Sequence, residues 1–130
     1  QNIRRLRLAS GLTIVLFVLL HFLNHGIGLI SVDLMEVARA RLHAPVWQSL
    51  IGKTIILGAL LLHFLLALLT LYRRSSLRMP AWEMAQLSLG FAIPLLLIGH
   101  IIGVQVAPKI LGYSISYPLA IDVIWSDGWL

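Results

Sequence analysis

Three long stretches of this chain carry no ionised side chain, and they set its architecture. Between Arg7 and Asp33 lie 25 residues without Asp, Glu, Lys or Arg, between Lys53 and Arg73 lie 19, and between Glu83 and Lys109 another 25. About 20 apolar residues cross a bilayer core as a helix. The pattern therefore predicts three membrane spans, over roughly residues 8–30, 46–72 and 81–107. Ser31–Pro45 reads as a connection on one side, with a short amphipathic turn from Val32 to Leu42. Pro45 and Trp47 mark re-entry, tryptophan being typical of the membrane interface. Lys53 is close enough to the outer end of the second span to snorkel. Arg73–Pro80 is short, so the spans are expected to pack as antiparallel neighbours, and Pro94 predicts a kink in the third. From Pro108 onward Tyr113, Tyr117, Trp125 and Trp129 mark residues 108–130 as an external aromatic-rich segment, or as the lead-in to a fourth span. The expected fold class is an all-α membrane protein with three transmembrane helices, residues 1–130 forming a single membrane domain. The chain begins at Gln1 and reads as one piece of a longer protein.

Composition sharpens this picture. In 130 residues, 59% hydrophobic against 12% charged excludes a disordered tail and leaves too little interior for an ordinary soluble fold. The net charge of +5 is unevenly placed: Arg4, Arg5, Arg7, Arg73, Arg74 and Arg78 hold six of the ten positive charges. A three-span chain puts those two segments on one side of the membrane. Short loops rich in Arg and Lys stay cytoplasmic, so the N-terminus is expected inside. Nucleic acid is excluded as a partner, because its basic surfaces line one soluble face beside base-stacking aromatics. No cysteine is present. That removes disulfides, thiolate zinc sites, iron–sulfur clusters and covalent c-type haem attachment. A cleaved signal peptide fits residues 1–30 poorly, since the apolar run is long, contains two histidines and lacks a small-residue cleavage site.

Four of the five histidines, His21, His25, His63 and His100, fall inside the spans. Ionisable groups within a bilayer are costly and point to function. A lone intramembrane histidine is often a hydrogen-bonded packing residue, but one on each of three helices needs more explanation. A proton relay would want Asp or Glu, and only Glu83 sits at a span margin. A zinc hydrolase or carboxylate-bridged metal pair has no ligands to use. Haem b fits the residues present, since it takes two axial imidazoles and an apolar slot between helices. At 100° per residue, the His63 stripe carries Gly52, Ala59, Ala67 and Thr70, the His21 face carries Asn24, His25 and Gly28, and the His100 face carries Gly103 and Ala107. Small residues leave room for a flat ring, although they also simply let helices approach.

Depth suggests a pairing. With Leu8 as the inner edge of span 1, His21 and His100 fall at a similar level roughly 20 Å in, and His63 about 14 Å from Tyr72. His21 with His100 is then the expected axial pair of an outer haem. His63 is left to a second, inner haem with a partner from elsewhere. A His21–His63 pair is the alternative, with helix tilt absorbing about 6 Å. His25, one turn beyond His21, is expected to bond a haem propionate or a quinone, or to replace His21. His43 is expected to be solvent-exposed. Gly11 precedes His21 by ten positions and Gly90 precedes His100 by ten, which hints at an internal repeat.

These residues also carry a resemblance. GLTIVLFVLLHFLNH (Gly11–His25) and LLLHFLLALLTLYRR (Leu60–Arg74) resemble the first two membrane helices of the di-haem cytochrome b subunits of succinate dehydrogenase and fumarate reductase. RRLRLASGL, HFLNHGIGL, YRRSSLRMPAWE and WSDGWL are similar to the N-terminal membrane anchors of certain bacterial class III adenylate cyclases. Such anchors are cytochrome b-like and commonly have six helices. The resemblance implies half of a haem-binding bundle with His21 and His63 as ligands. It further implies a redox- or quinone-responsive sensor in a bacterial inner (plasma) membrane that regulates an attached cyclase domain as a homodimer. The other functional reading is the membrane anchor of a quinone-linked dehydrogenase. No residue of this chain is assigned a catalytic role.

Overall fold

The computed structural model describes residues 2–76, 78–114, 116–119 and 122. The chain is 86% helical, with no strand among the described residues. The helices are α1 (Asn2–Ile27), α2 (Val32–Ala38), α3 (Leu50–Tyr72), α4 (Ala81–Ile101) and α5 (Ala107–Leu111), with π-helical stretches at Arg39–Gln48 and Ile102–Val106. Three runs, Asn2–Ile27, Leu50–Tyr72 and Ala81–Leu111, are long and apolar enough to cross a membrane. Their 26, 23 and 31 residues correspond to roughly 39, 35 and 46 Å of helix, against a hydrocarbon core of about 30 Å.

Burial supports reading these helices as lipid-solvated. At most 6% of the most apolar window of each run is buried. Among the described residues Met35 is the one buried large apolar side chain, at 1% exposure, whereas Leu8, Leu12, Phe22, Leu61 and Leu96 are all exposed. A water-soluble fold could not leave that much apolar surface bare.

Two compact units make up the chain, Gln1–Ser75 and Ser76–Leu130. In the first, α1 packs against α3, and the contacts fix an antiparallel register. The Arg7 guanidinium donates to Thr70 Oγ1 at 3.0 Å, and three residues further along α1 Ser10 meets His63. Ser31 caps α2, its Oγ accepting from the Leu34 amide at 3.3 Å, with Asp33 in the first turn favouring the positive end of the helix dipole. Ser49 caps α3 in the same way, accepting from the Gly52 amide at 3.0 Å. Between them Pro45 sits inside the π-helical stretch. Proline lacks the ladder N–H and its ring presses on the carbonyl a turn earlier, and widened turns accommodate both defects.

In the second unit, helix continues through Pro94 and through Ile102–Val106 into α5. It stops at Gly112, whose left-handed φ of 72° lets its amide donate to the Pro108 carbonyl at 2.9 Å. Of the aromatic residues expected in the 108–130 segment, Trp125 and Trp129 lie outside the described residues.

Four helix ends differ from the expected span limits, Ile27 falling short of residue 30 and Leu111 running past 107, besides two starts. The first helix begins at Asn2, not Leu8, because long arginine stems can lie along a helix while their heads reach water. The second span begins at Leu50, not residue 46, because the wide turns persist to Gln48 and Ser49 starts a fresh helix.

Candidate functional site

His63 is held between α3 and α1 by polar contacts of its ring. Its Nδ1 lies 3.1 Å from the Arg7 carbonyl oxygen and 3.2 Å from Ser10 Oγ. Ser10, only 4% exposed, donates its own hydroxyl proton to the same carbonyl at 3.1 Å. A bare Nδ1 would set its lone pair against the Arg7 oxygen, so the ring proton belongs on Nδ1. Nε2 then keeps the lone pair a metal requires. Among the described residues no hydrogen bond reaches Nε2, and it is not buried. An N–H held by a backbone carbonyl is the arrangement that orients a ligating imidazole and raises its basicity.

Gly11 makes this approach possible. A Cβ built there would lie 3.0 Å from His63 Cε1 and 3.3 Å from Nδ1. The glycine ten residues before His21 therefore serves a histidine on the neighbouring helix. Sequence spacing along one helix could not reveal that pairing.

His21 lies among rings. It stacks on Phe17 at 5.6 Å and 20°, meets His25 edge-on at 4.6 Å, and faces His43 at 5.8 Å. Phe17 in turn takes Trp47 edge-on at 5.4 Å. The Arg39–Gln48 stretch thus lays its rings against the C-terminal half of α1 and brings three imidazoles together. His43 is not solvent-exposed as expected. It is half-buried, and its Nε2 is buried with no hydrogen-bond partner among the described residues. Burial first, then the charges of His25 and Arg39, hold its pKa below the ordinary histidine value. Arg39 itself pairs with Glu36 at 2.8 Å.

Several small residues of the sequence stripes are filled by protein. At Gly28 a Cβ would lie 2.9 Å from Met35 Sδ. At Gly52 it would overlap the Val46 carbonyl oxygen and lie 2.9 Å from Trp47 Cα. Thr70 accepts from Arg7 and donates to the Leu66 carbonyl. In the first unit these positions serve close packing.

The register separates His21 from His63. His63 is level with Ser10 and Gly11, ten residues or about 15 Å of helix from His21. Two imidazoles on one metal, each bonded at about 2 Å, would sit about 4 Å apart. The His21–His63 alternative rests on an offset of about 6 Å counted from Leu8, whereas this packing sets the two about 15 Å apart along α1. His100 stands in the last turn of α4, exposed, in the second unit.

A cleft of about 170 Å³ lies beside the His21 cluster, walled by Leu20, Leu23, Ile27, Leu42 and Trp47 with Asn24 and His43 at its polar edge. Ligand sites typically measure roughly 300–1,000 Å³, so this cleft does not enclose a macrocycle. Among the described residues no group of three or more His, Asp or Glu is arranged to hold a metal ion by itself. The donor set is one of individual imidazoles, which suits axial ligation of a porphyrin iron and not a three-ligand metal site. His63 fits that role. Comparison of the chain with protein-family models, curated proteins and solved structures finds no match in any of the three.

Proposed function

We propose that this chain is a haem-b-binding membrane segment, the first half of a cytochrome b-like helical bundle, with its arginine-rich ends at the cytoplasmic face. The observation that carries this reading is His63, whose Nδ1–H is committed to the Arg7 carbonyl while Nε2 retains its lone pair. Haem b, when bound, supplies one-electron chemistry. The chain's own residues do the holding. Ser10 and the Arg7 carbonyl fix the His63 ring, and Gly11 lets α1 approach it. His21 stands about 15 Å away along α1, which suits a ligand for a second haem and not for the same one. His100 is the further candidate ligand, and His25, beside His21, is placed to bond a propionate or a quinone. Regulation of an attached cyclase domain, in a homodimer, is the output that the sequence resemblance favours.

Optical spectra of the purified chain and its variants test the reading. The wild type should show a low-spin haem b spectrum, and His63→Ala should remove a component that His21→Ala and His100→Ala leave in place. Wild-type spectra in all three variants would overturn the ligand assignment.

A further inference from the structure

The antiparallel packing of α1 on α3 gathers five arginines at one end of the first unit. Arg4 and Arg7 share a helix face at i, i+3 spacing. Arg7 donates to Thr70 on α3, and Arg73 and Arg74 follow directly after the last residue of that helix, Tyr72. Arg4 lies one turn beyond Arg7 in the same direction, so Arg4, Arg73 and Arg74 come to a similar height, with Arg5 alongside. The first turn of α1 contains no acidic residue. The acidic residues of this unit, Asp33 and Glu36, belong to α2 beyond the far end of α1, where Glu36 is paired with Arg39.

We propose that this arginine cluster binds the headgroup of an anionic phospholipid in the leaflet it faces. Guanidinium groups match phosphate oxygens with paired N–H donors. The cluster caps two helices long and apolar enough to span a bilayer, which sets it at headgroup depth, and basic sites between transmembrane helices suit such lipids. The Arg7–Thr70 bond holds one guanidinium at the junction of the two helices, so the site is built into the fold and differs from a diffuse charged tail. This inference needs the membrane setting but no haem.

The test uses the full chain in phosphatidylcholine nanodiscs carrying a trace of spin-labelled phosphatidylglycerol or spin-labelled phosphatidylcholine. The fraction of motionally restricted label gives the relative association of each lipid. Phosphatidylglycerol should be preferred, and each of Arg4→Gln, Arg7→Gln and Arg73→Gln should lower that preference by up to about five-fold. Arg7→Lys should retain most of it. Arg41→Gln, the same charge change in the connecting segment on the opposite side, should leave it at the wild-type level. Arg4 is exposed, so its variant keeps the test open should Arg7→Gln disturb the contact with Thr70. Equal association of the two lipids with the wild type would overturn the proposal. So would a loss in Arg41→Gln as large as in Arg7→Gln. Displacement of the labelled lipid by inorganic phosphate at constant ionic strength would overturn it too, showing a site for free phosphate instead of a lipid headgroup.

Discussion

Replacing Gly52 by alanine is expected to damage the junction between the Arg39–Gln48 stretch and α3. Gly52 is buried, and a methyl group there would run into the Val46 carbonyl oxygen and lie 2.9 Å from both Trp47 Cα and the Val46 carbonyl carbon. All three opposing atoms are backbone, so no rotamer change relieves the overlap. Overpacking costs about 1–3 kcal/mol, and the rigid neighbours place this case at the upper end. Alanine recovers about 1 kcal/mol over glycine in a helix. The net loss should be about 2 kcal/mol. Gly58 is the control, six residues along the same helix, where an added methyl would meet nothing within 4 Å. Gly58→Ala should therefore be neutral or stabilising by up to about 1 kcal/mol. Thermal unfolding in one detergent, followed by far-ultraviolet circular dichroism, compares the two. Gly52→Ala should melt several degrees below wild type and Gly58→Ala at or above it. Equal melting of both variants would refute the close approach of the connecting segment to α3, and with it the placement of Trp47 and His43 against α1.

Other outcomes follow from the same packing. Met35 is the buried anchor of α2 against Gly28, so Met35→Ala should cost about 2–5 kcal/mol in the same unfolding assay. Ser10→Ala removes one of two partners of the His63 ring. The expected loss is about 1 kcal/mol, with a larger mobility of the His63 imidazole seen by nuclear magnetic resonance. The pKa of His43 is lowered by burial first and then by its neighbours His25 and Arg39, so the unfolded chain binds its proton more readily than the folded one. Stability should be full above the ordinary histidine pKa of about 6.5 and decline as pH falls below it. His43→Phe should flatten that decline in unfolding curves measured across the range.

The helical architecture is legible in the sequence because bilayer thickness imposes one length on every span, and charge-free runs report that length directly. Helix ends are less legible. Arg4, Arg5 and Arg7 look like a loop in one dimension, yet Arg7 is a helical residue bonded to Thr70. The position of His63 along α3 can be counted, whereas its relation to α1 depends on Gly11 and Ser10, which lie more than 50 positions away in sequence. No periodicity within a helix encodes that contact. His43 escapes sequence reasoning for a related reason. A loop residue between two spans looks solvated until the wide turns around Pro45 fold it back onto Phe17 and His21. Glycines in a stripe suggest room for a ring, but Gly11, Gly28 and Gly52 are places where another part of the chain passes closely. The imidazole chemistry itself is visible from residue type alone, since the spans offer no thiolate and one carboxylate, Glu83, at the very start of α4.

The most direct measurement is a dithionite-reduced minus oxidised optical spectrum of the purified wild-type chain. A sharp low-spin haem b difference band is the expected result, because an imidazole with its Nδ1–H tied to a main-chain oxygen is ready to bind iron. A flat difference spectrum from well-folded, helical protein grown with ample haem would contradict it and leave His63 as a hydrogen-bonded packing residue.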